Sequence, residues 1–178
     1  MIIWLASFPR SGNTFFRVLL NSVFGIKTYS IYDDRYDIGA NKTLSEVVGH
    51  EFLPPDFNLA RARAADTLYF LKTHDHPDKA RTDKVIYLLR DGIESTLSYV
   101  RYLQDYMGQQ TSIREAINGD VQYGSWGEHV AAWAPKDAPD TLLIRFEELI
   151  RDPLGLVSQI EEFTGIKAVS NQIPSFDE

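Results

Sequence analysis

The first 25 residues constrain the chain more than any other stretch. Ile2-Ile3-Trp4-Leu5-Ala6 is a short, apolar, β-branched run, the pattern of a buried strand. It breaks at Ser7-Phe8-Pro9-Arg10-Ser11-Gly12-Asn13-Thr14. Phe16, Leu19, Leu20, Val23 and Phe24 then recur at helical spacing up to Gly25, a C-terminal stop. Strand, tight loop and helix turn successive backbone N–H groups toward one point. The first four N–H groups of a helix have no internal partner, and the helix dipole adds partial positive charge there. A phosphate-like anion fits such a place. Pro9 stiffens the loop, Gly12 permits close backbone approach, Ser11, Asn13 and Thr14 add donors, and Arg10 adds a forked cation.

The loop departs from the nucleotide-triphosphate pattern GxxxxGK(S/T). Its first glycine is missing, and Asn13 stands where the lysine would be. From the loop alone, an ordinary strand–helix turn with an incidental arginine stays open.

Farther along, the apolar runs Thr67–Lys72, Val85–Leu89 and Thr141–Phe146 read as three more strands. The second is followed by Arg90-Asp91-Gly92 and a long helix from Ile93 to Met107, closed by Gly108. Ser125 is the expected cap of a helix carrying Trp126, Val130 and Trp133, and Asp152-Pro153 opens a last helix ending at Gly165. Residues 25 to 67 are the least regular: a short helix around Leu44 to Phe52, then one capped by Asp56 and running through Ala65. Such an excursion is either a lid or acceptor wall, or surface helix without a role. Alternating strands and helices imply a parallel sheet flanked by helices, with ligands at the C-terminal strand ends. Three groups stand there: the first loop, Lys72 with His74 on one side of the strand end, and Arg90 with Ser98 two turns into the next helix.

At 178 residues the chain reads as a single domain, 1–178, with a core to about 167 and a tail over 168–178. A formal charge of −7 argues against a broad nucleic-acid or anionic-membrane surface, so cations beside an anion site are local features. The absence of cysteine leaves no disulfide or thiolate metal site. The N-terminus enters a strand without a basic leader, and no apolar run reaches the ~18 residues of a membrane span, so a cytoplasmic location is expected.

Phe8-Pro9-Arg10-Ser11-Gly12-Asn13-Thr14-Phe15 resembles the donor loop of sulfotransferases that use 3′-phosphoadenosine 5′-phosphosulfate (PAPS; product PAP). Lys72-Thr73-His74 is similar to the family's Lys-Thr-His, and Val85 to Tyr99 to its second cofactor motif. Ser125-Trp126 through Trp133 resembles its Gly-Ser-Trp…His-Val…Trp segment. Arg145-Phe146-Glu147-Glu148-Leu149 with Asp152-Pro153 resembles its Tyr-Glu-Asp-Leu…Asp-Pro segment. The likeness runs from about Ile3 to Gly165, with the motifs in family order.

The resemblance implies an α/β fold: a three-layer parallel sheet flanked by helices, related to the P-loop NTPases. It implies sulfuryl transfer from PAPS to a hydroxyl or amine of a small-molecule acceptor, with no metal, nucleic acid or membrane. His74 is then the general base, and Lys72 and Arg10 are cations for the bridging oxygen. Arg10, Ser11, Gly12, Asn13, Thr14 and Phe15 hold the donor, with Phe15 near adenine, and Arg90 and Ser98 hold the 3′-phosphate. Arg10 stands for the animal branch's lysine, Phe15 for a tryptophan and Phe146 for a tyrosine. The likeness is to a short form lacking the family's later Arg-Lys-Gly block: either a minimal or truncated member, or one in which other basic residues do that work, with Arg61, Arg63 and Arg101 as candidates. Tyr29, Tyr32, Tyr36, Tyr102, Tyr106 and Tyr123 either line an acceptor pocket or pack the surface. The residues themselves leave two other readings open. One is a nucleotide or small-molecule kinase, favoured by Val85–Leu89 followed by Arg90-Asp91. The other is a non-catalytic nucleotide-binding module.

Overall fold

The computed structural model describes residues 1–33, 38–77 and 82–174. Among them a six-stranded sheet is parallel at every pairing. Its strands are β1 (Ile2–Ser7), β2 (Thr28–Ser30), β3 (His50–Glu51), β4 (Tyr69–Thr73), β5 (Lys84–Leu89) and β6 (Thr141–Arg145), in the order β3-β2-β4-β1-β5-β6. The four expected strands are present. The short strands β2 and β3, next to and at one edge of the sheet, carry too few residues for a periodic signal and lie in the stretch that reads as irregular.

Side-chain alternation along β1 and β5 builds two cores. Ile3, Leu5, Ile86 and Leu88 face one side, packed with Phe16, Leu19 and Val23 of α1 (Asn13–Phe24). Leu149 of α7 (Phe146–Arg151) and Ile160 of α8 (Val157–Thr164) belong to the same core. Ile2, Trp4, Val85 and Tyr87 face the other side, with Ala62 of α3 (Leu59–Ala64) and Trp133 of α6 (Trp126–Trp133). The remaining helices are α2 (Lys42–Val48), α4 (Gly92–Asp105) and α5 (Ile113–Asn118). Asn58, not Asp56, caps α3, its side chain accepting from the Arg61 N–H. The Asp152-Pro153 corner opens a 3-10 turn, Pro153–Leu156, ahead of α8. The backbone of 168–174 is tied back, with the Val169 and Ser170 N–H groups donating to Val23 O.

This topology places the candidate residues. The chain goes from β4 on one side of β1 to β5 on the other, so the crevice at the end of β1 is a topological switch point. Ala6 is in register with Thr73, and Ser7 with Leu88. Neighbouring strands lie roughly 4.8 Å apart. The first loop, His74 and Arg90 therefore emerge side by side from one sheet edge.

Candidate active site

The first loop takes its shape from Gly12 and Arg10. Gly12 has φ 88° and precedes α1 directly, and Arg10 adopts the left-handed conformation at φ 65°, uncommon for a side chain-bearing residue. A Cβ on Gly12 would overlap the Phe146 ring. Phe146 also carries the Arg90 guanidinium, 4.6 Å from its centroid. The ring that stands for the family's tyrosine is thus a wedge between the loop and Arg90, a role its place in the sequence did not suggest.

The Phe16 N–H reaches Gly12 O at 3.0 Å, and the N–H groups ahead of it lie at the helix start. Asn13 is buried, and its amide donates to Leu5 O and Ser7 Oγ, at 3.0 and 3.3 Å. Ser11 Oγ and Asn13 Oδ1 are buried with no hydrogen-bond partner among the described residues. Thr14 is exposed. Phe15 is half-buried and packs against the α1-side core.

Arg10 extends toward α4. Its Nε donates to Ser98 Oγ at 3.3 Å, and its guanidinium lies 5.4 Å from the Tyr102 ring centroid. Arg90 Nη1 donates to Arg10 O at 3.0 Å and also meets Glu94. Arg10, Arg90 and Ser98 thus form one cluster. Of the alternative cations, Arg101 sits one turn beyond Ser98 on α4. Arg63 pairs with Asp83, ahead of β5, and the Met1 amino group donates to Ala62 O. Arg61 and Arg63 therefore belong to the opposite edge of the sheet, where the strands begin, away from the first loop.

Lys72 and His74 sit at the end of β4. Lys72 is buried, with its ammonium 5.7 Å from the Tyr32 centroid. His74 is half-buried and held at several points. Its N–H donates to Tyr32 Oη at 2.6 Å, and its Nδ1 lies 2.8 Å from Ser7 O. A carbonyl only accepts, so Nδ1 carries the hydrogen and Nε2 is the basic atom. Tyr32 stacks along the ring and Tyr123 meets it edge-on, with centroids at 6.1 and 5.6 Å. Burial, aided by the Lys72 charge, pushes His74 down to about 3, so the ring is neutral.

Of the other tyrosines, Tyr29 packs with Tyr69 on the second core. Tyr102 and Tyr106 stack on each other beyond Ser98, with Tyr106 80% exposed. Tyr36 lies outside the described residues. The aromatic wall at His74 is therefore Tyr32 and Tyr123.

Helix α6 braces this edge. A capping box of Ser125 and Glu128 starts it. Its ring N–H groups then donate to three carbonyls: Trp126 to Arg90 O at 3.2 Å, His129 to His74 O at 3.0 Å and Trp133 to Asp75 O at 3.1 Å. In the sequence these residues stand only as a segment similar to the sulfotransferase pattern, and their bracing contacts are tertiary. The signal present was spacing, since 126, 129 and 133 fall on one helical face.

Burial pushes His129 down to about 4, and both histidines lie below the ordinary 6.5. Between pH 6.5 and 4 the unfolded chain binds protons that the folded chain does not, so stability falls as pH falls. Thermal melts from pH 7.5 to 5, above most carboxylate titration, should show Tm dropping below pH 6.5. The drop should be shallower in His129→Gln. A wild-type Tm that stays level through that window would mean both rings are solvated.

The sulfotransferase domain model matches residues 2–176. Mouse (Mus musculus) sulfotransferase 4A1 is 25% identical over 99% of this chain, which covers 64% of that protein. The Photinus pyralis luciferin sulfotransferase is 24% identical over 97% of this chain and 53% of its own length. The chain thus spans less than two thirds of these curated relatives. Among solved structures, mouse sulfotransferase SULT7A1 complexed with PAP superposes with a TM-score of 0.65 at 22% identity, covering 95% of this chain and 59% of that one. Retinol dehydratase, in complex with androsterone and PAP, gives 0.59 at 20% identity, covering 93% and 60%. The fold agrees with these structures, and the family match spans nearly all of the sequence: the chain belongs to the sulfotransferase family.

Proposed function

We propose that the chain transfers a sulfuryl group from PAPS to a hydroxyl or amine of a small-molecule acceptor. The observation that carries this reading is the convergence, at one sheet edge, of a strand–loop–helix turn suited to an anion, a neutral histidine with a free basic nitrogen, and an arginine–serine cluster that joins the loop through Arg10. Two phosphorylated positions on one ligand match two cationic places. The buried, unpartnered Ser11 Oγ, a hydroxyl able to donate, supports an anionic ligand that completes the loop. The solved relatives named with PAP support the same donor.

Bound PAPS supplies an activated sulfuryl group whose transfer puts charge on the oxygen bridging sulfur and the 5′-phosphate. His74 Nε2, the unprotonated ring nitrogen, is positioned to take the acceptor proton. Lys72, with the loop N–H groups, meets the developing charge. Arg90 and Ser98 hold the 3′-phosphate. Arg10, expected at the bridging oxygen, shares contacts with Ser98 and Arg90, which supports assigning it to the 3′-phosphate as well. Tyr32 and Tyr123 form an aromatic wall for the acceptor. The kinase reading gains nothing: Asp91 serves as the α4 cap, its Oδ1 accepting from the Ile93 and Glu94 N–H groups.

Charged hydrogen bonds are worth about 1.5–3 kcal/mol each. Arg90→Ala should therefore weaken adenosine 3′,5′-bisphosphate roughly ten- to a hundredfold and adenosine 5′-monophosphate much less. Equal losses for the two ligands would remove Arg90 from the 3′-phosphate site.

A further inference from the structure

Histidine 129 is the one fully buried histidine among the described residues, and no step of the proposed reaction uses it directly. Its Nε2 lies 3.0 Å from His74 O and its Nδ1 2.8 Å from Tyr87 Oη. The His74 carbonyl can only accept, so Nε2 carries the ring hydrogen. Nδ1 must then accept from the Tyr87 hydroxyl. Tyr87, itself fully buried on β5, thereby selects the tautomer of His129. The rings of Phe8, His76 and Trp133 surround His129, with centroids 5.8, 5.4 and 6.2 Å away, so it has no room to turn.

From this geometry we propose that His129 is a positioning residue for the general base, acting through the backbone of His74 with Tyr87 as its tautomer lock. The proposal rests on the sulfotransferase reading of His74. Beyond Thr73 the β4 backbone has left the sheet, and the ladder no longer fixes its carbonyls. Three bonds replace it. Tyr32 holds the His74 N–H, His129 holds its carbonyl, and Ser7 O holds Nδ1–H. Together they set the rotation of the ring about its own backbone and keep Nε2 as the basic atom. Removing the middle bond leaves a part-buried carbonyl without this partner and lets the His74 peptide turn toward water. The imidazole follows its peptide, and a base displaced by an ångström loses much of its effect.

The test pairs His129→Leu with His129→Gln and Tyr87→Phe. Glutamine keeps a side-chain N–H for the His74 carbonyl. Phenylalanine keeps the volume of Tyr87 while removing the hydroxyl that orders the tautomer. The first readout needs neither cofactor nor acceptor: nitrogen NMR of the His74 ring in the free protein. His74 should remain in the Nδ1–H form through pH 5 in the wild type and His129→Gln, and should titrate nearer 6.5 in His129→Leu. The second is turnover. His129→Leu should lose at least tenfold in kcat with little change in affinity for adenosine 3′,5′-bisphosphate. His129→Gln should recover most of that, and Tyr87→Phe should fall between. A His129→Leu protein with wild-type His74 titration and kcat within twofold overturns the proposal. So does a loss that glutamine fails to restore, or one shared equally by bisphosphate affinity. Failure of the sulfotransferase reading would look different, with no bisphosphate binding by the wild type whatever the NMR of His74 shows.

Discussion

His74→Ala is expected to lose about 10²–10⁴ of turnover, the usual contribution of a positioned base, while binding adenosine 3′,5′-bisphosphate as the wild type does. The expectation follows from geometry. His74 reaches the loop only at its first residue, Ser7, from the β4 side of β1, whereas the Arg10–Arg90–Ser98 contacts lie toward β5 and α4 on the other side. Its depressed pKa leaves it uncharged, so its removal subtracts no cation from the cofactor. Lys72→Ala should also act mainly on turnover, because the charge it meets builds only as the bond breaks. The competing role for His74 is structural, a turn residue before Asp75 and Pro77. In that case the alanine variant would lose thermal stability and bisphosphate affinity together. Retention of most of the wild-type turnover with a working acceptor would end the assignment of His74 as base.

Gly12→Ala should be nearly as damaging, but to binding. A side chain at φ 88° costs about 1–3 kcal/mol, and its Cβ would run into the Phe146 ring. The loop has two ways out, and both damage the site. It can turn its N–H groups away from the anion, or it can push Phe146 out from under Arg90. Loss of one or two charged hydrogen bonds corresponds to roughly a hundredfold weaker bisphosphate binding. Gly127→Ala is the matched control, since a Cβ there meets nothing within 4 Å and the residue lies in α6. It should bind as the wild type does. Wild-type affinity in Gly12→Ala would show that the loop is not the cradle.

The strongest strands and the phosphate loop were legible because their signals are local. Four apolar runs and a loop that ends in glycine before an amphipathic helix need no partner to be recognised. The contents of the site were legible only in part. Lys72, His74 and Arg90 were readable because strand ends of a parallel sheet share one edge. Which side of the loop Arg10 would take was not, because its positive φ and its bond to Ser98, 88 residues away, are tertiary outcomes. Arg61 and Arg63 share composition with Arg10 and Arg90 and differ in which sheet edge α3 occupies. The work of Phe146 and of His129 was hidden for the same reason. Each acts on a backbone far away in sequence, Gly12 in one case and His74 in the other. Strands β2 and β3 were too short to show a period.

The most direct measurement is calorimetric titration of the whole chain with adenosine 3′,5′-bisphosphate and, separately, with ATP and magnesium. A donor site built from a loop that lacks the nucleotide-triphosphate lysine, with Arg10, Arg90 and Ser98 set apart for a second phosphate, should bind the bisphosphate at least tenfold tighter. Its affinity should also fall clearly as salt rises, because Arg10 is exposed. Equal or tighter binding of ATP with magnesium would contradict the sulfuryl-donor reading and return the chain to the nucleotide-triphosphate class.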